Sequence, residues 1–446
     1  MIPPKPASRE GRGGLLSYAR AFRADILSAQ PARLYRAWMA EFRTPFFRSY
    51  LMNDPDLIDL VLKTRPDDFP KSDRVREGLA PLLGRSVFVT NGAEWAAQRR
   101  IIDPAFGRGR LHEAFPAMKD ASAAMITRLE NGVVEIEEVA SRAAADVIFR
   151  TLFSIPIEYD LASDVFHAFR TYQRQQPLLN LAALLPLPRW LPRMHRHATH
   201  AAAKTIRAAI AALVETRSGQ IAQGRAPDDL ATKIMTATDP ETGETFTPEE
   251  MVDQVAIFFL AGHETSASAL AWAAYLLATH ADIQDAVAAE AALDWNAVGL
   301  GDLSRLPLTR DVFREALRLY PPVPMMVRQT TRPETFRNRA APIGAQCVLS
   351  PWHLHRHARL WSNPDAFDPG RWQTDEGRES SRRAYLPFSA GPRVCPGAGF
   401  AMAEGVLLLA RLIHACRLEA VGPPPVPVAH LTVRARDGIR LRLQRR

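Results

Sequence analysis

Ten residues near the C-terminus have the types and spacing to hold a metal through sulfur: Phe388-Ser389-Ala390-Gly391-Pro392-Arg393-Val394-Cys395-Pro396-Gly397. They run directly into a helix-like apolar stretch, about Gly397 to Cys416. A cysteine just ahead of a helix meets the positive end of the helix dipole, which favours the thiolate. Gly391 and Gly397 allow a tight turn that brings backbone N–H groups near the sulfur. Such bonds tune a thiolate ligand. Phe388 can shield the sulfur from water, and Arg393 can pair with a carboxylate of a bound cofactor. The competing reading is a buried structural cysteine in a glycine turn. Five positions of defined type within ten residues weigh against it.

Three further sets stand upstream. Ala261-Gly262-His263-Glu264-Thr265 interrupts a long apolar helix at its middle. Glu315 and Arg318 lie three apart on a helix that is otherwise apolar, so they share a face and can pair. Trp95 and Arg99 lie four apart and share a face too. The decapeptide resembles the heme-binding loop of the cytochrome P450 family, F-x-x-G-x-R-x-C-x-G, with every fixed position matched, and Ala401 and Glu404 continue the resemblance. The other sets stand in that family's order, and the resemblance runs from Phe46 to the end of the chain.

The resemblance implies a role for each residue. Cys395 is the axial ligand of the iron of heme b (iron protoporphyrin IX), where a thiolate favours O–O cleavage. Ala261 to Thr265 resembles the oxygen-activation motif. There Gly262 leaves room for dioxygen, Thr265 bonds its own helix or donates toward the activated oxygen, and Glu264 relays protons. A kinked helix with a satisfied threonine is the other reading of that segment. Trp95, Arg99, Arg328 and Arg393 are expected at the heme propionates. Phe367-Asp368-Pro369-Gly370-Arg371 supplies Arg371 as third member of a Glu315–Arg318 scaffold triad. His263 is expected as a polar neighbour and not a metal ligand. His355-Arg356-His357 is expected to cap a surface turn, with His357 where many members carry an acid.

The elements that must position these residues are mostly helical. Apolar periodicity predicts helices over 15–42, 57–62, 93–101, 110–130, 135–153, 162–172, 201–224 and 308–320, and strands near 46–51 and 347–349. The best-delimited helix starts at Thr247-Pro248-Glu249-Glu250, a capping box with proline at the first position, and runs to about Thr279. At ~48 Å it would cross the whole molecule. A membrane span is disfavoured there because polar residues break the run. Residues 65–92 read as a long functional loop, and 174–197 as a second, proline-broken mobile region. Val433, Ala435, Ile439, Leu441 and Leu443 alternate around Asp437-Gly438, predicting a closing hairpin. The expected fold is mainly α with small β-sheets, a single cytochrome P450 domain over 1–446 with 1–14 flexible. Heme is expected between the long central helix and the Cys-loop helix.

Composition bounds the function. Hydrophobic residues make 47% and charged residues 23%, the mix of a folded domain. Cys347, Cys395 and Cys416 have no paired spacing, which argues against disulfides and a zinc site and fits a reducing cytoplasm. The polar N-terminus shows neither signal peptide nor membrane anchor. The net charge of +8 is carried by scattered arginines, so nucleic acid is not an expected partner. The resemblance then implies a cytoplasmic monomer that hydroxylates a hydrophobic small molecule (fatty acid, terpenoid or similar) with O2. Electrons would come from a separate ferredoxin or flavodoxin with its reductase. Arg99, Arg100, Arg108, Arg382 and Arg383 are candidate docking residues. Substrate-facing candidates are 71–90, 174–197, Phe258, Phe259, Val323 to Met326, His430 and Leu431, with Arg74 and Arg76 at the entrance. Two other classes stay open: a peroxide-driven heme enzyme of the same fold, disfavoured by Glu264-Thr265, and a non-enzymatic heme or hydrophobic-ligand binding protein.

Overall fold

The computed structural model describes residues 2–9, 20–21, 25–43, 48–107, 109–175, 197–429 and 431–446, with backbone alone for 170–175 and 197–199. The chain opens with strands β1 (Met39–Arg43) and β2 (Arg48–Met52) and the short helix α1 (Pro55–Asp59). Then come α2 (Asp73–Leu83), α3 (Gly92–Ile102), α4 (Arg110–Arg128), β3 (Gly132–Glu135), α5 (Ile136–Phe153), α6 (Asp160–Gln175), α7 (His197–Ala222) and α8 (Leu230–Thr236). The long α9 (Pro248–Ala278) and α10 (Ala281–Glu290) precede α11 (Pro307–Leu319). Strands β4 (Met326–Gln329), β5 (Glu334–Phe336), β6 (Arg339–Ala341) and β7 (Gln346–Leu349) lead to α12 (Pro351–Leu354), α13 (Asp375–Ala384) and α14 (Ala398–Ala415). The chain closes with β8 (Cys416–Ala420), β9 (Pro427–Ala429), β10 (Val433–Ala435) and β11 (Arg440–Arg445).

Helix α9 is the axis of the molecule. Its capping box forms as its sequence requires: the Thr247 hydroxyl accepts from the Glu250 N–H at 3.3 Å, and Glu250 accepts from the Thr247 N–H at 2.9 Å. Nearly every side chain from Met251 to Leu277 is buried. A helix that is apolar all round must be covered on all sides, and α5, α7, α11 and α14 supply that cover. Trp272 stacks on Tyr320 at 3.9 Å, joining α9 to the end of α11. Helix α14 is long and apolar enough to cross a membrane, yet its leucines lie in the same core cluster.

The main sheet has the order β1-β2-β7-β4, with β2 parallel to β7 and the other pairs antiparallel. It brings Arg328 on β4 beside Lys71 through an isolated bridge. Three expectations change here. The described part of 15–42 ends in a 3-10 turn (Ala32–Tyr35) and a strand, where Phe42 pairs with Ser49, and is not a helix to Phe42. The stretch 65–92 holds helix α2 and is a loop only around it. The alternating C-terminal strands do not pair with each other. β10 pairs with β9, while β11 pairs with β8 and β3, and Gly438 (φ 77°) turns the chain between the two sheets. The segment 176–196 lies outside the described residues.

Candidate active site

The cysteine loop is fixed by its backbone. The Cys395 N–H donates to the Phe388 carbonyl at 2.9 Å, closing the loop on itself. Ser389 (φ 62°) and Gly391 (φ 68°) take left-handed conformations. A Cβ on Gly391 would fall 1.9 Å from the Leu62 carbonyl oxygen, so only glycine fits there. Gly397 needs no such freedom (φ −85°). Its N–H bonds the Cys395 sulfur and draws its proton affinity down. Cys395 is exposed by surface area yet desolvated by the protein around it, which describes a side chain facing an internal cleft. Desolvation is the larger effect and pushes the thiol above its ordinary value; the Gly397 N–H and Arg99 oppose it. The helix end alone therefore does not make the thiolate. A coordinating metal would.

Beside this loop four basic side chains converge. Arg99, from α3, donates to the Val394 carbonyl at 2.9 Å and pairs with Asp103 at 2.6 Å. Arg393 donates to the Pro66 carbonyl at 2.8 Å. Arg328 is buried, and the Nε atoms of Arg328 and Arg393 have no hydrogen-bond partner among the described residues. Lys71, which the sequence reading did not single out, donates to the Val87 and Thr90 carbonyls. The ring of Trp95 lies 4.8 Å from the Arg393 guanidinium, 5.9 Å from that of Arg99 and 5.6 Å from the Lys71 ammonium. Burial lowers Arg328 to about 10 and Lys71 to about 6, and neighbouring arginines add to both effects. Asp103 faces Arg99 and Asp67 lies 3.6 Å from Arg393, but among the described residues no carboxylate pairs with the buried Arg328 or with Lys71, so an anion bound among them would supply the missing compensation. A group with two carboxylates beside a sulfur ligand fits this site, and heme presents that pattern.

Lys71 gives a test. Below its ordinary 10.5 and down to about pH 6, the unfolded chain holds this proton and the folded chain does not. The bare protein therefore gains stability as pH rises through that window. A bound dianion returns the proton, so loading heme at neutral pH is expected to take one up at Lys71. Lys71→Met is expected to raise the denaturation midpoint of the bare protein at pH 7 and flatten its pH slope. The same change should weaken heme retention about tenfold, from the ~1.5 kcal/mol of a charge-assisted hydrogen bond. Unchanged slope and retention would refute the assignment.

The middle of α9 faces two ways. Ala261 is exposed and Thr265 partly so, and the Thr265 hydroxyl donates to the Ala261 carbonyl at 2.5 Å. The helix is unbroken there. Glu264 is buried on another face, accepting from the Thr432 hydroxyl at 2.6 Å, with Arg434 Nε at 3.3 Å. Gly262 corrects an expectation. A Cβ on it would meet the Ile148 side chain at 2.4 Å, so its smallness serves the packing of α5 on α9 and not an open face. His263 is buried against Ser141 (2.7 Å). Phe106 joins the cysteine helix to this turn, contacting Phe400 on α14 at 6.3 Å and Phe258 on α9 at 5.7 Å.

The scaffold triad is complete and buried. Arg318 grips Glu315 through two bonds of 2.9 and 2.8 Å, and Arg371 Nε donates to Glu315 at 3.0 Å. His353, His355 and His357 are buried, not at a surface turn. His355 reaches the Arg318 carbonyl of α11 at 3.2 Å, while His353 packs on Tyr35 at 4.9 Å and His357 stacks on Trp38 at 4.6 Å. Among the described residues no cluster of three or more His, Cys, Asp or Glu is arranged for a metal ion. Phe259 packs into Phe149 and Phe169, so it faces core. Phe88, at 42% exposure, leads the apolar residues of the 84–91 loop. Arg100 is committed to Asp239 by two bonds of 2.6 and 2.7 Å, which removes it from the docking candidates. Arg382 and Arg383 are exposed; Arg108 and His430 lie outside the described residues.

Comparison with known proteins places this geometry. The family model described as Cytochrome P450 matches residues 40–440. Cyclooctat-9-en-7-ol 5-monooxygenase of Streptomyces melanosporofaciens is 33% identical over 394 residues, covering 86% of this chain and 83% of its own. Human cytochrome P450 4A11 is 30% identical over 430 residues, covering 88% and 79%. Among solved structures, the heme domain of cytochrome P450DA superposes with a TM-score of 0.83 at 24% identity, covering 100% of this chain and 98% of that one.

Proposed function

The chain belongs to the cytochrome P450 family and is a heme-thiolate monooxygenase, and from that premise we propose that it hydroxylates a terpenoid, fatty acid or similar hydrocarbon skeleton. One observation supports the site assignment above others: the Lys71, Arg99, Arg328 and Arg393 cluster around Trp95 beside the Cys395 loop. In this reading Cys395 holds the iron of heme b, and those four cations with Trp95 hold its propionates. The bound heme supplies dioxygen binding and its reduction. The residues of the chain do the rest. Ala261 leaves an open face on α9. Thr265 holds its proton on the Ala261 carbonyl and is placed to turn it toward that face. Glu264, one residue away, is the relay residue of this reading, held by the Thr432 hydroxyl and Arg434.

Apolar residues support the substrate class. Phe88, Phe258, Val323, Met325, Met326 and Leu431 all keep open surface. Methionines adapt to irregular hydrocarbon shapes. The carbocyclic alcohol in the name of the Streptomyces relative agrees with that chemistry. We further propose a monomer, in the cytoplasm, fed by a separate ferredoxin or flavodoxin with its reductase.

The test is the reduced protein under carbon monoxide, together with product analysis using NAD(P)H and surrogate reductases. The red-shifted Soret band of a thiolate-ligated heme and hydroxylated apolar products are expected. Absence of that band, or turnover of strongly polar substrates only, overturns the proposal. Turnover with peroxide but with no reductase would establish the peroxide-driven reading instead.

A further inference from the structure

Behind Glu264 lies a second carboxylate that the mechanism above does not use. Strand β10 runs between the first turn of α5 and the middle of α9. From one side Thr432 and Arg434 reach Glu264, at 2.6 and 3.3 Å. On the other side the Ala435 N–H donates to Glu137 at 2.9 Å. The Ser268 hydroxyl donates to the Val433 carbonyl and pins the strand to α9. Adjacent residues of one short strand thus hold two carboxylates from two helices, and the Arg434 guanidinium acts on both, pairing with Glu264 and lowering the proton affinity of Glu137. Arg434 is 34% exposed, so solvent reaches it, whereas Glu264 is 2% exposed. The cluster spans the distance from solvent to the buried acid.

We propose that Glu137 and Arg434 are positioning residues that feed protons to Glu264, making strand β10 the proton entry of the site. This rests on the monooxygenase reading, because only a reaction that consumes protons needs an entry. The step is a proton transfer with no covalent or redox change. Protonated Glu137 gives its proton, through the solvent at Arg434, to the Glu264 carboxylate. The charge of Arg434 then shifts to the new Glu137 carboxylate, releasing Glu264 to deliver. Solvent reprotonates Glu137. Burial suits Glu137 to this role by raising it to about 7. The Ala435 N–H and Arg434 oppose that rise, and Glu135 and Glu264 add to it. A carrier works best when its proton affinity matches the working pH.

Two measurements test the inference on the heme-loaded protein. Infrared titration should show a carboxyl band with a midpoint near 7 that is missing in Glu137→Gln. The band of Glu404, pushed up to about 8 by burial, should persist in that variant. The Glu137 midpoint should rise in Arg434→Gln, which removes the favouring cation, and fall in Glu264→Gln, which removes the opposing charge. Product formed per electron pair should drop by ~10-fold in Glu137→Gln and Arg434→Gln, less than the ~10²-fold or more for losing a direct proton donor. Arg434→Lys should recover much of it, and total electron consumption should persist. A Glu137 midpoint that ignores Glu264→Gln shows the carboxylates uncoupled and overturns the inference. Unchanged product per electron pair in both variants overturns it too. In either case a wild type that keeps its carbon monoxide band and product leaves the monooxygenase reading standing; if the wild type lacks both, the two fall together.

Discussion

Cys395→Ser is expected to yield folded protein that has lost both the thiolate-type carbon monoxide band and electron-driven hydroxylation. The fold should survive because the side chain bears little of it. What closes the loop is the backbone bond from the Cys395 N–H to Phe388, together with the left-handed turns at Ser389 and Gly391, and serine keeps all of these. The chemistry should not survive. A serine hydroxyl stays protonated at neutral pH and offers iron no anion, whereas the thiolate pushes electron density onto it. The loss should exceed the ~10–100-fold typical of outer-shell changes. Proton counting adds an independent reading. Burial keeps the Cys395 thiol protonated in the bare protein, so loading the wild type releases a proton there, while Lys71 takes one up. Serine has none to release. Loading Cys395→Ser should therefore take up about one proton more than loading the wild type, measured by calorimetry in buffers of different ionisation enthalpy. Retention of the band and of turnover would remove Cys395 from the iron.

How much of this was legible in the sequence depends on how local each feature is. The cysteine loop, the α9 capping box and the Glu315–Arg318 pair lie within ten residues or fewer; the box and the pair form as read, whereas the loop turns at Ser389 and Gly391 and not at Gly397, and burial outweighs the helix end at the sulfur. Lys71 escaped because its meaning depends on Arg328, 257 positions away, brought beside it by the edge of the main sheet. Glu137 and Arg434 escaped for the same reason: neither has a neighbour in sequence that hints at the other. Gly262 was misread because a motif gives a residue type and not the direction it faces; Ile148, on α5, occupies that direction. The C-terminal alternation was real, but a two-residue period cannot choose a partner strand. The histidines at 355 and 357 looked like turn residues, since polar side chains are mostly exposed. Their burial follows from bonds to distant backbone, as His355 illustrates. The Leu386 N–H donates to its Nε2 at 2.8 Å, so Nδ1 carries the proton and donates to the Arg318 carbonyl at 3.2 Å. Burial and Arg318 hold it at about 3, hence neutral.

That histidine also shows why Glu315→Ala is expected to be the most damaging change to stability, at ~3–5 kcal/mol. Among the described residues Glu315 is the only carboxylate that Arg318 and Arg371 bond, and it also accepts the Asp368 N–H at 3.1 Å. Alanine would leave two buried guanidinium groups without an anion, and uncompensated buried charge costs far more than the pair contributes. Arg318 further ties down the carbonyls of His355, Pro364 and Ala366, and Arg371 that of Ser362. Releasing them frees the chain from 355 to 371. Through His355 the disturbance reaches Leu386, two residues before the cysteine loop begins. The expected outcome is a sharply lower denaturant midpoint for the bare protein and poor heme retention in whatever folds, although Glu315 lies on α11 and not in the loop that holds Cys395. Glu315→Gln should fall between, since its carbonyl can still accept one bond from each arginine but carries no charge. A midpoint for Glu315→Ala within about 1 kcal/mol of wild type would mean that water compensates the arginines, and the triad would then be an ornament of the fold and not its support.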